Sequence, residues 1–539
     1  MPKAKQTKYI FVTGGVLSGL GKGITAASIG NILKARGFSI YMQKFDQYLN
    51  VDAGTLNPGE HGECFVTDDG AETDLDLGHY ERFTDTSLSK NSSIMTGQIY
   101  QSILEKERNG QFLGKTIQVI PHVTNEVKER IKKAAKESDC DILITEIGGT
   151  IGDYEGMHFI EAIRQMPYDV GHDNVLYVHV GFLPYLEVTE ELKSKPIQNS
   201  VHDLQAMGIH PDVIMCRADH VVSENILKKV ALFCGVDKDA VIPLETVQSV
   251  YEVPLILEKY QLDKLITKKL CLPDKNGRQD DWANLVKKIK APKNKKVTIG
   301  LVGKYMGMKD TYLSITEAVK AAAFYYEADL DIQWIDSEEV EKKGTDLLKK
   351  VDGILVPGGF GNRGIEGKIT AAKYARENNI PYLGLCLGLQ IAVIEFARNV
   401  CNLKGAHSTE MDPKTPYPVI HIMPEQEKLL EGNQYGGTMR LGAYPCILKD
   451  KSKALELYGE KKISERHRHR YEVNNKYRSE LEKCGLVFSG TSPSGHLAEI
   501  IELPNNRFFM ASQFHPEFKS RPNRPHPLFA GFIKATIKS

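Results

Sequence analysis

The stretch Tyr9–Thr25, YIFVTGGVLSGLGKGIT, constrains this chain more than any other. Tyr9–Val12 are apolar enough for a buried strand, a glycine-crowded turn follows, and Ala26, Ala27, Ser28 and Ile29 begin a small-residue run with helical character. Such a strand–turn–helix cradles anions, because backbone N–H groups converge, the helix N-terminus adds partial positive charge and Lys22 adds a full one. The match to the phosphate motif G-x-x-x-x-G-K-[ST] is incomplete: Val16 stands at the first glycine and Gly23 replaces the hydroxyl residue after the lysine. The usual Mg²⁺ ligand is therefore missing, so any metal at this turn must be held by carboxylates from elsewhere.

With 539 residues the chain is too long for one core, and roughly two to four domains are expected. Lysine plus arginine and aspartate plus glutamate both number 69, so no net charge draws the molecule to nucleic acid or an anionic membrane. Anion recognition must be local. The nine cysteines include no C-x-x-C pair, which argues against a zinc ribbon or disulfide framework and for a reducing cytoplasm. No stretch reaches the roughly 18 apolar residues of a membrane span, and the apolar run behind Lys3, Lys5 and Lys8 is too short for a secretion signal.

Ser39–Phe45 reads as a second strand with Lys44 near its end. Residues 46–83, rich in Gly, Asp, Glu and His, lack periodicity and are expected to form a long working loop. Its acidic cluster Asp68–Asp76 (DDGAETDLD) is the first place to seek the missing metal ligand. Asp141–Gly149 (DILITEIGG) is a short apolar strand ending in Glu146, and acids at strand carboxyl ends face the ligand crevice of an open α/β sheet. Asp76 and Glu146 would together suit a hard cation that also takes phosphate oxygens. Strands at Val175–Gly181 and Val213–Arg217 alternate with helical stretches, a βαβ pattern with a largely parallel sheet. Leu272–Lys296, with prolines near both ends and a lysine run, reads as a linker holding one short helix.

A new α/β domain starts at Val297–Val302. Asp352–Gly361 (DGILVPGGFG) is a strand running into a glycine turn whose N–H groups suit an oxyanion. In Pro381–Arg398, Cys386 lies at a strand–helix turn between Gly384 and Gly388, the elbow that holds a nucleophile clear of the backbone and places a thiolate at a helix N-terminus. In QFHPEF, His515 and Glu517 are two apart and, on an extended strand, project together as base and orienting acid. Arg466–Asn475 (RHRHRYEVNN), as a strand, puts Arg466, Arg468 and Arg470 on one face and His467 and His469 on the other, offering a guanidinium to a carboxylate.

GGVLSGLGKG, DDGAETDLDLGHYERF, EIGGTIGDYEG, PGGFGNRG, GLCLGLQ, RHRHRYEVNN and FHPEF, in this order from residue 14 to 518, resemble the CTP synthase family. The resemblance implies an N-terminal P-loop-like, dethiobiotin-synthetase-like parallel-sheet amidoligase domain (1–271), a linker (272–296) and a C-terminal class I glutamine amidotransferase α/β domain (297–539). It implies a ligase that phosphorylates UTP at its 4-oxygen with ATP and displaces the phosphate with ammonia released from glutamine. By this likeness Ser18, Gly19, Leu20, Gly21, Lys22, Gly23 and Ile24 grip ATP, with Asp76 and, on the adenine side, Glu245, Thr246 and Val247. Ser18, Asp153, Tyr154, Glu155, Lys193, Ser194, Lys195, Pro196, Ile197, Gln198 and Lys229 match pyrimidine-nucleotide positions, and Asp76 and Glu146 match Mg²⁺ ligands. Cys386, His515 and Glu517 form the glutaminase triad, while Gly359, Leu387, Gly388, Leu389, Gln390, Glu410 and Arg470 bind glutamine, Gly359 and the N–H after Cys386 taking the oxyanion. Gly436–Ala443 resembles a mobile lid. The family further implies activation by GTP, feedback inhibition by CTP and a homotetramer. Leu17 and Gly19 replace residues more usual in the family's turn, and Tyr154 and Ile197 sit at variable places; none removes a reactive group. Two rivals remain at this stage: another two-part ATP-dependent amidase, such as a cobyrinate-type enzyme, and a nucleotide- and glutamine-sensing scaffold without catalysis.

Overall fold

A computed structural model describes residues 6–275, 277, 279–304, 306–423 and 439–537. The chain divides into two units, Met1–Asp52 with Asp76–Val286, and Ala53–Leu75 with Lys287–Ser539.

In the first unit seven strands form one sheet in the order Val241–Glu245, Val213–Ala218, Val175–Phe182, Lys8–Gly14, Ile142–Ile147, Ile40–Asp46 and Ser93–Met95. Every pairing is parallel. The reason lies in the strands themselves: IYMQKFD and ILITEI are buried at every position, as strands covered by helices on both faces must be. A parallel sheet puts all carboxyl ends on one edge, so Gly14, Asp46, Ile147 and Glu245 end there together. Register sets Glu146 beside Val12 on one side and Lys44 on the other.

The second unit holds a nine-stranded sheet in the order Ala328–Asp336, Lys295–Gly303, Gly353–Val356, Tyr382–Leu385, Phe509–Ser512, Ala498–Glu502, Val487–Thr491, Arg440–Leu448 and Lys462–His469. The first five run parallel and the rest antiparallel. Tyr382–Leu385 lies inside the sheet next to its middle strand, and two apolar layers, led by Val356, Ile391 and Ala511 on one side and by Leu355, Leu385 and Phe532 on the other, cover its faces.

Three local expectations are corrected. Residues 46–83 are not one loop: they contain a 3₁₀ turn at Ala53–Thr55, a short helix at Pro58–His61, a strand pair Phe65–Val66 and Glu72–Thr73, and the helix Asp76–Thr84. Residues 53–75 belong with the second unit, where Glu63 takes the Ser314 N–H (2.8 Å) and the Phe65 ring meets the Phe518 ring edge-on at 4.9 Å. Lack of periodicity reflected side chains that serve a surface supplied by residues hundreds of positions away. The expected linker is also partly core, because the helix Asp280–Lys290 buries Trp282, whose indole N–H donates to Tyr251 O at 2.8 Å and whose ring packs on Phe83. No helix among the described residues is long and apolar enough to cross a membrane.

Candidate active sites

The glycine turn of the first unit has left-handed backbone at three places. Val16, standing at the motif's first glycine, has φ 80°, while Gly19 and Gly21 take φ 72° and 93° without a Cβ to clash. Beyond Gly21 the helix Lys22–Ala35 starts, and Lys22 folds back so that its Nζ donates to Gly149 O at 2.7 Å. A Cβ on Gly14 would lie 2.6 Å from Lys22 Cδ, so the lysine stem occupies the space that glycine leaves. Burial pushes the Lys22 ammonium below its ordinary pKa, against the attraction of Glu146.

Gly23 has a separate reason to be glycine. A Cβ there would stand 2.3 Å from Asp76 Oδ1 and 3.4 Å from Glu146 Oε2, so two carboxylates occupy the place of the motif's hydroxyl. Lys44 Nζ binds Asp76 Oδ2 at 2.5 Å, and the buried Tyr80 hydroxyl donates to Glu146 Oε2. Burial and then the Asp76 charge raise Glu146 to about 7, with Lys44 and Lys22 pulling the other way. Lys44 and Tyr80 were not singled out as site residues from sequence; Lys44 is legible only once register sets it beside Glu146. Of the acidic cluster searched for the missing ligand, Asp68 and Glu72 are engaged elsewhere, pairing with Arg466 and Arg468 within the second unit.

The remaining positions that the family resemblance matched to nucleotides lie in the first unit. Ser18 and Gly19 are exposed at the turn, Leu20 is buried and Ile24 half-buried. Asp153 accepts the Thr150 N–H at 2.6 Å in front of the short 3₁₀ turn Tyr154–Gly156, and Tyr154 is 92% exposed. Lys193 pairs with Glu191, Ser194 immediately precedes the helix Lys195–Ala206 without a side-chain capping bond, and Pro196 sits in that helix's first turn. Ile197 turns inward against Gly181, where only glycine leaves room, so its side chain is core. Gln198 donates to Ser194 Oγ, and Lys229 is exposed on the helix Glu224–Cys234. Glu245 accepts the Val222 N–H at the end of its strand, Thr246 bonds Asp219, and Val247 follows half-buried.

In the second unit Cys386 is the elbow between the strand Tyr382–Leu385 and the helix Leu387–Asn399, with φ 51° and ψ −101°. Its flanking glycines are required: a Cβ on Gly384 would meet Gly388 O at 2.6 Å, and one on Gly388 would meet Val356 O at 2.2 Å. The Cys386 thiol contacts Arg468 O at 3.7 Å and receives Gln513 Nε2 at 3.6 Å. His515 Nδ1 donates to Glu517 Oε1 at 2.7 Å. This pairing is not made on a strand, as expected. The strand stops at Ser512, His515 precedes a 3₁₀ turn Pro516–Lys519, and the turn folds Glu517 back onto the ring. His515 and Cys386 both flank Gly358: the point a Cβ would occupy there is 3.8 Å from His515 Nε2 and 3.6 Å from Cys386 Cβ. Burial alone would lower His515, but the Glu517 carboxylate and then Cys386 outweigh it and raise the imidazole to about 10.

A cavity of about 440 Å³ opens beside the thiol, lined among others by Gly359, Gln390, Glu410, Arg468, Arg470 and His515. Glu410 Oε1 accepts the Gly361 N–H at 2.9 Å, and burial raises its carboxyl. Gln390 donates to Tyr471 O, whereas Leu387 and Leu389 pack into the core. The arginine row departs from expectation. The strand Lys462–His469 ends before Arg470, Arg466 Nε binds Asp68 Oδ1 at 2.6 Å, and Arg468 Nε binds Glu72 Oε1 at 2.7 Å. His467 and His469 do share a face, with 3.0 Å between ring nitrogens. A second cavity of about 90 Å³ shares Gly359, Phe360, Arg468 and His515 with the first and is also lined by Pro58, Glu63 and Cys64. Of the expected lid, Gly436–Thr438 lie outside the described residues, and from Arg440 the chain is a strand whose arginine binds Glu499 at 2.9 Å.

A glycine turn beside two carboxylates in one unit, and a cysteine elbow beside a histidine–glutamate pair in the other, are the parts that a glutamine-dependent ligase combines. Residues 8–272 match the family model described as CTP synthase N-terminus, and residues 308–535 match glutamine amidotransferase class-I. The CTP synthase of Carboxydothermus hydrogenoformans is 58% identical over 534 residues, that of Methanocaldococcus jannaschii 57% over 540 and that of Bacillus subtilis 54% over 534, each covering 99% of both chains. The chain belongs to the CTP synthase family. Among solved structures, the glutaminase domain of CTPS from Trypanosoma brucei with bound acivicin is similar at 41% identity, with TM-score 0.42, over 44% of this chain and 93% of that one.

Proposed function

We propose that the two sites divide one synthesis between them: amination of UTP to CTP in the first unit and release of ammonia from glutamine in the second. The chain is an ATP-dependent carbon–nitrogen ligase of this family. At the turn, Ser18–Ile24 receive the triphosphate of ATP on backbone N–H groups, and Lys22 moves from Gly149 O to the phosphate oxygens. Asp76 and Glu146 would hold Mg²⁺; two carboxylates meeting at Gly23 suit a hard cation that completes its shell with phosphate oxygens and water. The bound ion would neutralise charge on the transferring phosphoryl group. UTP, held by residues 153–155, 193–198 and Lys229, takes that group on its 4-oxygen. Ammonia then adds at the ring carbon bearing that oxygen, the carbon–oxygen bond breaks, phosphate leaves with the oxygen, and the nitrogen gives up its extra proton. Glu245–Val247 take the adenine side.

In the second unit the Cys386 thiolate attacks the glutamine amide, with Glu410 and Arg470 on the amino and carboxylate ends of the substrate. The N–H groups of Gly359 and Leu387 take the oxyanion. His515, held charged by Glu517, gives its proton to the departing ammonia and recovers one from the water that cleaves the thioester. Ammonia is mostly protonated in neutral water and then unreactive, so it must leave without equilibrating with solvent. Family membership supports GTP as activator, CTP as feedback inhibitor and a homotetramer, and nine free cysteines among the described residues suit a cytoplasmic location.

The pairing of His515 with Glu517 beside an elbow cysteine carries this reading. Cys386→Ala is expected to abolish glutamine-dependent CTP formation and spare ammonia-dependent formation, followed by the absorbance change of UTP conversion. Loss of both activities, or of neither, refutes the division of labour. The same assay, with UTP as sole acceptor, disposes of both the cobyrinate-type and the non-catalytic alternatives.

A further inference from the structure

Lys368 is a buried cation that the mechanism above leaves unused. It lies in the first turns of the helix Ile365–Glu377, at 0% exposure, and among the described residues its Nζ has no hydrogen-bond partner. Its position is fixed by tight docking of that helix: a Cβ on Gly364 would lie 2.0 Å from Ser337 Oγ, and one on Gly367 1.9 Å from Ser337 O. The ammonium ends 3.8 Å from the point a Gly359 Cβ would occupy, and Leu387 Cδ2 is 3.5 Å from that same point. It therefore sits against Gly359, one of the two residues whose N–H groups are assigned to the oxyanion.

Nothing about this location favours a resting positive charge. Burial disfavours it, Lys304 and Arg363 add repulsion, and a helix N-terminus opposes a cation. Together the first two lower the lysine to about 7. The surrounding charges have other partners. Lys304 Nζ donates to the carbonyls of Phe360 and Gly361, Glu410 binds Gly361 N–H, Arg363 pairs with Glu338, Glu341 takes the Gly367 N–H, and Glu395 on the neighbouring helix binds Arg376. A residue that costs stability at rest is explained if negative charge appears beside it during turnover.

We propose that Lys368 is a positioning residue of the glutamine-hydrolysing site, an ammonium stored beneath Gly359 that stabilises the oxyanion through the loop holding it. This rests on the glutaminase reading given above. Removing a direct oxyanion donor costs ~10²–10³-fold in turnover, and a charge acting one layer behind is expected to contribute about tenfold.

The test is glutamine hydrolysis by the full-length enzyme from about pH 6 to about pH 9, comparing wild type, Lys368→Met and Lys368→Arg. The kcat/KM ratio of wild type to Lys368→Met is expected to be about tenfold at the acid end and to fall toward one at the alkaline end as the wild-type ammonium discharges. The loss should reside in kcat, and Lys368→Arg, always charged, should gain on wild type as pH rises. A ratio near one at every pH, a loss independent of pH, or a loss confined to KM overturns the proposal. Should the Met variant not fold, the wild-type to Arg comparison decides by the same criterion. Cys386→Ala with undiminished hydrolysis would overturn the parent reading too; Cys386→Ala inactive beside an unaffected Lys368→Met would overturn this inference alone.

Discussion

Replacing Gly23 by serine would restore the hydroxyl that phosphate-binding turns ordinarily carry after their lysine, and it is expected to destroy synthesis. The added Cβ would fall 2.3 Å from Asp76 Oδ1 and 2.9 Å from its Cγ. Restoring an ordinary contact of ~3.3 Å moves the carboxylate by about 1 Å. Asp76 cannot swing freely, because Lys44 holds its other oxygen at 2.5 Å and Glu146 stands 3.4 Å from the same Cβ. A misplacement of ~1 Å at a reacting centre costs about 10²-fold in rate. The assay is ammonia-dependent CTP formation across a Mg²⁺ titration, with glutamine hydrolysis in the absence of nucleotides as the control. Synthesis should fall by about 10²-fold or more and stay low at high Mg²⁺, while the control is unchanged. A serine variant with wild-type synthesis and wild-type Mg²⁺ dependence would refute the view that two carboxylates replace the hydroxyl.

Glu517→Gln removes the main group that keeps His515 charged. In the native protein the raised imidazole contributes stability that is fully present below its unfolded value near 6.5 and lost as pH rises through about 10. The variant should therefore discharge at lower pH, read by histidine NMR titration, and lose glutaminase activity; an unchanged midpoint would contradict the assignment. Glu72→Ala leaves the Arg468 guanidinium without its carboxylate at a largely buried site, which should lower unfolding free energy by about 3 kcal/mol in chemical denaturation. A change within about 0.5 kcal/mol would show that water readily takes the place of that carboxylate.

Local spacing made the strand–turn–helix units legible, since a glycine turn before Lys22 and the Gly384–Cys386–Gly388 elbow each need only a few neighbouring residues. Convergence of distant residues was harder to read. Asp76 and Glu146 were paired from an absence, the missing hydroxyl at position 23, whereas Lys44 and Tyr80 gave no comparable signal. His515 and Glu517 were paired for a reason the structure replaces, a folded-back turn instead of strand alternation. The sequence offers Arg466 and Arg468 to a ligand carboxylate, but their partners lie about four hundred residues earlier, beyond the reach of any periodicity. Lys368 looks in sequence like any surface lysine of a helix; only the docking of Gly364 and Gly367 onto Ser337 turns it inward.

Because Ala53–Leu75 are encoded early yet fold among residues encoded late, no single crossover in the gene can exchange one catalytic half for a relative's intact. A chimera joined near residue 290 would set foreign acids against the native Arg466 and Arg468, or the reverse. Divergence in that short early segment and in the arginine strand is thereby tied together, and a working hybrid has to inherit two separate pieces of the same parent.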